Sequence, residues 1–205
     1  MRKLANCSLV VILTILSISA LAHAQSLTQA ERDKALAYLE HTRQGVIDAT
    51  NGLSPAQWNF KAGPDRWSIA QVAEHIAAAE DFIRGNITEK VMSAPPRPAG
   101  EDVASIDEIV IKAIPDRTTK RQAPEPLVPT NRFGSPQGSL KHFVESRAIT
   151  EDFLKKTPDL REHATDSPLG KKLDAYQWVL FISAHSERHT KQILEVKADP
   201  NFPKQ

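Results

Sequence analysis

Four long segments of this 205-residue chain place apolar residues at helical spacing, and this pattern constrains the fold most. Helices are predicted over residues 28–50, 68–92 and 174–197, and from Pro136 or Leu140 to Lys156. No alternating apolar and polar run of useful length predicts a strand. Because each amphipathic helix must bury its stripe against the others, the sequence predicts an all-α four-helix bundle.

The second predicted helix has the clearest start. Ser68 is its expected N-cap and Gln71 stands at N3, so the two can form a reciprocal capping box. Trp67 and Val72 occupy the two positions of a hydrophobic staple. The fourth helix is predicted to start in the same way at Asp174.

Residues 94–136 differ in composition, since they contain eight of the fourteen prolines. Ser105 and Glu108 match a capping box there and predict one short helix that ends before Pro115. The rest is expected to be an extended loop on the surface. We therefore predict one domain, residues 25–205, with a long Pro-rich crossover insertion between the second and third helices.

The first 24 residues have the layout of a secretory signal peptide. Arg2 and Lys3 precede an apolar run over residues 9–21, and Ala22-His23-Ala24 is a typical cleavage pattern. The alternative is an uncleaved anchor, but the run is short for a membrane span of about 20 residues. The sequence predicts an exported protein, periplasmic or secreted, that has no membrane attachment after cleavage.

The charge balance and the cysteine count exclude several classes of function. The chain has 26 Lys and Arg against 25 Asp and Glu, without the basic excess typical of nucleic-acid binders. Its one cysteine, Cys7, lies in the predicted signal peptide. A disulfide framework and a multi-cysteine metal site are therefore both excluded.

Two histidines share the apolar face of the fourth predicted helix. At 100° per residue, His185 and His189 lie in one arc of about 80° with apolar residues, one turn apart. Two imidazoles so placed can hold one metal ion. His75, on the shoulder of the second helix's apolar stripe, can supply a third ligand. Three protein ligands leave one or more coordination positions of the metal open, as in catalytic metal sites.

A second interpretation of the same pattern needs no metal, since core histidines are often bonded to backbone carbonyls or water. The string from His185 to His189 is not an H-E-x-x-H motif, because Glu187 points about 200° away from His185. No carboxylate shares the histidine arc, so a metal-bound water is the expected base or nucleophile. Gln71 and Gln192 lie beside the histidines and are candidate hydrogen-bond partners. The other histidines after residue 24 are predicted to be solvated, namely His41, His142 and His163.

Four segments together resemble one family: residues 39–43, residues 52–54 with Trp58, residues 66–75 and residues 185–193. They are similar to the DinB-like, or DinB/YfiT-type, superfamily of metal-binding four-helix bundles. The resemblance implies one divalent metal ion held by His75, His185 and His189. It also implies frequent homodimers and, in some members, metal-dependent transfer of low-molecular-weight thiols.

The export signal argues against thiol transfer, because thiol cosubstrates belong mainly to the reducing cytoplasm. We therefore expect a metal-dependent hydrolase that acts on a small molecule and does not bind nucleic acid. Zinc or nickel is the expected metal, with iron or manganese as further candidates. The alternatives are a non-catalytic metal-binding or interaction module, a thiol transferase-like enzyme and a metal-free helical bundle.

Overall fold

A computed structural model of the chain describes residues 26–98 and 100–204. Its helices are α1 (Gln29–Thr50), α2 (Pro55–Asn59), α3 (Ile69–Glu89), α4 (Val103–Ala113), α5 (Pro136–Lys156) and α6 (Ala175–Lys197). Two short antiparallel strands, β1 (Ala164–Asp166) and β2 (Lys172–Asp174), form a hairpin before α6. The predicted signal peptide, residues 1–24, lies outside the described residues.

The four long helices form a bundle, which confirms the predicted fold class. Helix α1 packs along α6 and also contacts α5, while α3 packs along both α5 and α6. Helix α4, in the connection between α3 and α5, packs against α6 from outside the bundle. Within the described residues, no helix combines the length and the apolar character that crossing a membrane requires.

The capping signals in the sequence start the helices where they were predicted. Thr28, Ser68 and Asp174 each form a complete capping box with the residue three positions later. Helix α4 begins earlier than predicted, because Asp102 and not Ser105 is its N-cap. The Asp102 carboxylate accepts the N–H of Ser105 at 3.1 Å, which places Ser105 inside the first turn.

Helix α2 and the β1–β2 hairpin were not predicted. Helix α2 has five residues, too few to show a period of 3.6. The strands of the hairpin have three residues each, too few to show alternation. Asp174 ends β2 and caps α6, so the hairpin leads directly into the helix that carries two of the candidate ligands.

The core consists of two clusters of buried apolar side chains, which come from different halves of the long helices. One cluster includes Leu39, Ile83 and Leu180, and the other includes Val46 and Ile193. A hydrogen-bonded layer of buried polar side chains separates the two clusters along α1, α5 and α6, whereas its α3 member, Glu80, lies among residues of the first cluster. Its members are Thr42, Glu80, Arg147, Thr150 and Ser186.

Arg161 ties the connection between α3 and α5 to the bundle. Its guanidinium donates to Asp107 of α4 at 2.7 and 2.9 Å, to Asp174 at 3.0 Å and to Glu31 of α1 at 2.6 Å. The same group lies 4.2 Å from the ring centre of Tyr176. Because Arg161 is 1% exposed, these partners replace the water lost by its Nη1 and Nη2 groups, whereas its buried Nε–H has no hydrogen-bond partner among the described residues. The cluster therefore holds α4 in place against α6.

Candidate metal centre

The three candidate ligands converge on one point between α3 and α6. The Nε2 atom of His75 lies 3.2 Å from the Nε2 atoms of both His185 and His189. Among the described residues, this is the one group of three or more His, Cys, Asp or Glu side chains that could hold a metal ion. His75 and His189 are buried, and His185 is partly exposed.

Hydrogen bonds on the far side of two rings determine where their protons are. His75 Nδ1 lies 2.9 Å from the Leu127 carbonyl oxygen, which can only accept, so this nitrogen carries the proton. His189 Nδ1 lies 2.8 Å from the Gln192 Oε1 atom. Arg117 also donates to that oxygen, at 3.4 Å, which fixes the orientation of the amide. The Nε2 atoms of His75 and His189 therefore both carry lone pairs.

Two lone pairs that face each other at 3.2 Å cannot make a hydrogen bond, but both can coordinate the same cation. Tetrahedral zinc with Zn–N distances of 2.0–2.1 Å would separate its nitrogen ligands by about 3.3 Å. The observed distances from His75 to His185 and His189 match this value. The three nitrogens therefore suit a divalent metal ion, and one or more coordination positions would remain open.

The protein keeps these imidazoles neutral. Burial is the main cause that lowers the pKa of His75, and the charge of Arg132 lowers it further. Burial also lowers the pKa of His185 and His189 well below the ordinary value, and the neighbouring histidines add to the effect. A metal ion can bind only the deprotonated nitrogen, so the site is prepared for binding at neutral pH.

The loop that orients His75 is anchored by Glu74, the preceding residue. The Glu74 carboxylate accepts the backbone N–H groups of Thr130 at 2.7 Å, Asn131 at 2.8 Å and Arg132 at 3.0 Å. Asn131 has a left-handed backbone (φ 64°), which helps the three N–H groups to form a concave anion nest. This nest positions the loop whose Leu127 carbonyl holds the His75 ring.

The Glu74→Gln variant is expected to be less stable than the parent protein by about 2 kcal/mol at pH 7, because an amide N–H₂ would face a backbone donor. Burial raises the pKa of Glu74, but the three backbone donors outweigh it and lower the pKa below 4.5. The carboxylate's stabilisation is thus present above pH 4.5 and is lost as the pH falls through the lowered pKa. Urea unfolding from pH 7 to 3 should show this difference shrinking.

The matched control for this prediction is Glu145→Gln on α5, where an exposed carboxylate lies near Lys141. That change should alter the free energy of unfolding by less than about 0.5 kcal/mol at every pH. An equal effect of the two changes, or a Glu74→Gln effect independent of pH, would contradict the anchoring role.

The histidines line a cavity of about 820 Å³, a size that suits a small-molecule ligand. Trp67 packs against His75 with ring centres 5.0 Å apart, and Phe181 lies nearly parallel to His185 at 6.4 Å. The α3–α5 connection supplies another wall, through residues 114–128. Asp65 is the one carboxylate residue in the lining formed by the described residues.

The polar residues near the predicted site have different partners in the structure. Glu187 faces away from the site, as predicted, and accepts a hydrogen bond from the Tyr38 hydroxyl at 2.6 Å. Gln192 contacts His189, whereas Gln71 serves the capping box of α3. The prediction that His142 is solvated was wrong, because its Nε2 atom lies 2.5 Å from Asp81.

Sequence reasoning missed several groups around the site. The Leu127 carbonyl carries no side-chain signal, so no pattern could have shown its role. Glu74 lies in the motif segment 66–75, but no role was predicted for it. The cations of the cavity lining had a partial signal, namely the run of basic residues from Arg117 to Arg121.

Comparison with known families identifies the bundle. The sequence profile of the DinB superfamily matches residues 38–193, which include all three histidines. This chain belongs to the DinB superfamily. The match confirms the resemblance drawn from the motif segments. It covers the four bundle helices for most of their length and includes the whole α3–α5 connection.

Two proteins of Bacillus subtilis are similar to this chain. The uncharacterized protein YuaE is 28% identical over 147 residues, which cover 71% of this chain and 86% of YuaE. The solved structure of YfiT matches with a TM-score of 0.54 and 17% identity, over 87% of this chain and 93% of YfiT. YfiT is described as a probable metal-dependent hydrolase with an unusual four-helix bundle topology. At this identity the likeness establishes the fold alone.

Proposed function

We propose that this protein binds one divalent metal ion through His75, His185 and His189 and hydrolyses a small-molecule substrate there. One observation carries the proposal: three Nε2 atoms converge at the base of a cavity of about 820 Å³. Hydrogen bonds to Leu127 and Gln192 leave lone pairs on two of these atoms that only a cation can satisfy together. The description of YfiT as a probable metal-dependent hydrolase supports the same reaction class.

A divalent metal ion supplies Lewis acidity, which polarises a carbonyl group and acidifies coordinated water. The protein's own residues hold and orient the three imidazoles. Trp67 packs against the His75 ring, and Phe181 lies nearly parallel to the His185 ring. Zinc or nickel is the proposed metal, and iron or manganese is the alternative, since neutral imidazole binds several of these ions well.

The cavity favours a catalytic site over a purely structural one. A structural metal site is closed by protein ligands, whereas three histidines beside a large cavity leave space for a substrate. A non-catalytic metal-binding module and a thiol transferase-like enzyme are the other outcomes that an experiment must separate.

The proposed activity is tested on residues 25–205, loaded in turn with zinc, nickel, iron and manganese. A panel of ester, amide and lactone substrates should contain at least one that is hydrolysed only by the metal-loaded protein. The His185→Ala variant should lose this activity, and the His41→Ala variant, which changes an exposed histidine outside the cavity, should keep it.

Two results would replace the proposal. Full metal loading without turnover of any substrate would favour the non-catalytic module. Transfer of a low-molecular-weight thiol to an electrophile, without hydrolysis, would favour the transferase.

Metal affinity is expected to stay constant as the pH falls from 8 through 6.5 and to weaken only below the lowered pKa values of the three histidines. Burial lowers the pKa of all three histidines below their ordinary value of 6.5, so the folded protein stays ready for metal until the pH passes the lowered values. Below them, protons compete with the metal for the same nitrogens. Equilibrium dialysis between pH 8 and 4 measures this, and an affinity that already falls between pH 8 and 7 would contradict the lowered pKa values.

We also propose that residues 1–24 direct export and are then removed. The layout of that segment supports the proposal, with its two basic residues, its apolar run and the Ala22-His23-Ala24 pattern. Expression of the whole chain should yield a protein that starts at Gln25, outside the cytoplasm. A protein that still starts at Met1 in the cytoplasm would contradict it. A homodimer stays a prediction of the family resemblance.

A further inference from the structure

We infer that the substrate is a small organic anion, with an apolar body and a carboxylate or phosphate group that cations in the cavity lining bind. This inference rests on the proposed function, because it names the substrate class of the same site. It is carried by the charges and the apolar walls of the cavity above the three histidines.

The cavity lining is strongly basic, although the whole protein has a net charge of only +1. Five cationic side chains line it, against the single carboxylate of Asp65. The cations are Arg66, Arg117, Lys120, Arg121 and Arg188. A cavity that gathers one sign of charge raises the local concentration of ligands of the opposite sign.

Three of these cations are available to a ligand. Arg66, Lys120 and Arg121 are exposed at the mouth of the cavity. Within the described residues, none of the three makes an ion pair. Lys120 and Arg121 are adjacent, so both can approach one anionic group.

The charge of Arg188 is buried without a carboxylate hydrogen-bond partner. Its guanidinium donates to the backbone carbonyls of Ile114, Asp116 and Thr119, which hold the α3–α5 connection over the site. Carbonyl oxygens satisfy its donors but leave its full positive charge. Burial, together with the neighbouring cations, lowers the pKa of Arg188 from its ordinary value.

Carboxylates near the cavity do not cancel the positive charge of its lining. Glu195 pairs with Arg117 at 2.5 and 2.7 Å. The Asp116 carboxylate accepts from the Thr118 backbone and hydroxyl, both at 2.9 Å. Even when Glu195 and Asp116 are counted together with Asp65, the five cations outnumber the carboxylates.

The walls between the cations and the histidines are apolar. Trp67, Ile114, Leu127 and Phe181 line the cavity together with Pro168. A highly hydrated inorganic ion gains nothing from such walls, whereas an organic anion buries its apolar body there. The anionic group would lie against the exposed cations, and the bond to be cleaved would reach the three histidines.

The direct test is binding, measured by calorimetry on metal-loaded residues 25–205. The probes are 4-phenylbutyrate, 3-phenylpropylphosphonate and the neutral 4-phenylbutan-1-ol, which share the same phenylpropyl body. Either anion is expected to bind about tenfold more tightly than the alcohol at low salt, with the difference shrinking in high salt. The tighter of the two anions identifies the carboxylate or the phosphate as the natural group.

The metal can itself attract anions. A pair of matched variants therefore separates the contribution of the cationic side chains to anion binding from that of the metal. Lys120→Gln/Arg121→Gln should weaken anion binding about fivefold and leave the alcohol unchanged. Lys155→Gln/Lys156→Gln removes two exposed charges at the end of α5, away from the cavity, and should have no effect. Anion affinity that is equal in both variants, or no preference over the alcohol, would overturn the inference.

Failure of this inference can be told from failure of the hydrolase proposal. Anion binding that depends on Lys120 and Arg121, without hydrolysis of any ester, keeps the inference and removes the hydrolase. Equal hydrolysis of 4-nitrophenyl hydrogen succinate and the neutral 4-nitrophenyl butyrate keeps the hydrolase and overturns the inference.

Discussion

The His185→Ala/His189→Ala variant is expected to lose metal binding while the bundle stays folded. The parent protein, purified as residues 25–205 without a histidine tag, should contain about one equivalent of metal. Removing two of the three imidazoles leaves only His75 as a ligand. Loss of a residue that merely hydrogen-bonds to a ligand lowers metal affinity by up to about 100-fold, so loss of two ligands should lower it by more. The fold should persist because two apolar clusters and the polar layer remain.

Elemental analysis measures the metal, and circular dichroism shows whether the variant is folded. The control is His41→Ala/His142→Ala, which removes two histidines that are not in the three-histidine group. This control should retain one equivalent. Absence of metal in the parent protein, even after incubation with zinc, nickel, iron and manganese, would refute the ligand assignment and leave a metal-free bundle. A folded double variant that still holds one equivalent would place the metal elsewhere.

The Arg147→Met variant is expected to lower the free energy of unfolding by about 3–5 kcal/mol, the largest stability effect that we predict. Arg147 is 0% and Glu80 is 1% exposed, and they form a two-pronged ion pair at 2.8 and 2.9 Å. Arg147 also donates to the Leu39 carbonyl at 2.6 Å and to the Ser186 hydroxyl at 2.9 Å. Its loss would leave the Glu80 charge buried without a cation.

Chemical denaturation measures this effect, and the chain offers a matched control. Arg43 forms a similar pair with Glu40, but on the surface. The Arg43→Met variant should therefore cost less than about 1 kcal/mol. The Glu80→Leu/Arg147→Met variant should be more stable than Arg147→Met alone, because no charge is left unpaired. Equal costs at Arg147 and Arg43 would contradict the role of burial.

Most of the bundle could be predicted because its helices are encoded locally. A capping box such as Ser68 with Gln71 involves residues three positions apart, and an apolar stripe repeats within one segment. The start of α4 was placed at Ser105 and lies earlier, because Asp102 competes for the same role within one turn. Elements of three to five residues, such as α2 and the hairpin strands, are too short for a period to be recognised.

The candidate ligands could be predicted for the same reason, but the rest of the site could not. His185 and His189 are one turn apart on one helix, so their common direction follows from helical geometry. The contact of His75 with the Leu127 carbonyl joins positions 52 residues apart through a backbone atom. No local pattern encodes such a contact.

The sequence by itself determined the helices, their apolar faces, the family and three histidines on faces that can meet. These properties depend on residues within a few turns of each other. Only the tertiary structure decided that the three Nε2 atoms converge, that Glu74 anchors the loop which orients His75, and that basic residues of the α3–α5 connection lie over the site. Those features depend on how distant segments pack, and packing is set by the whole chain at once.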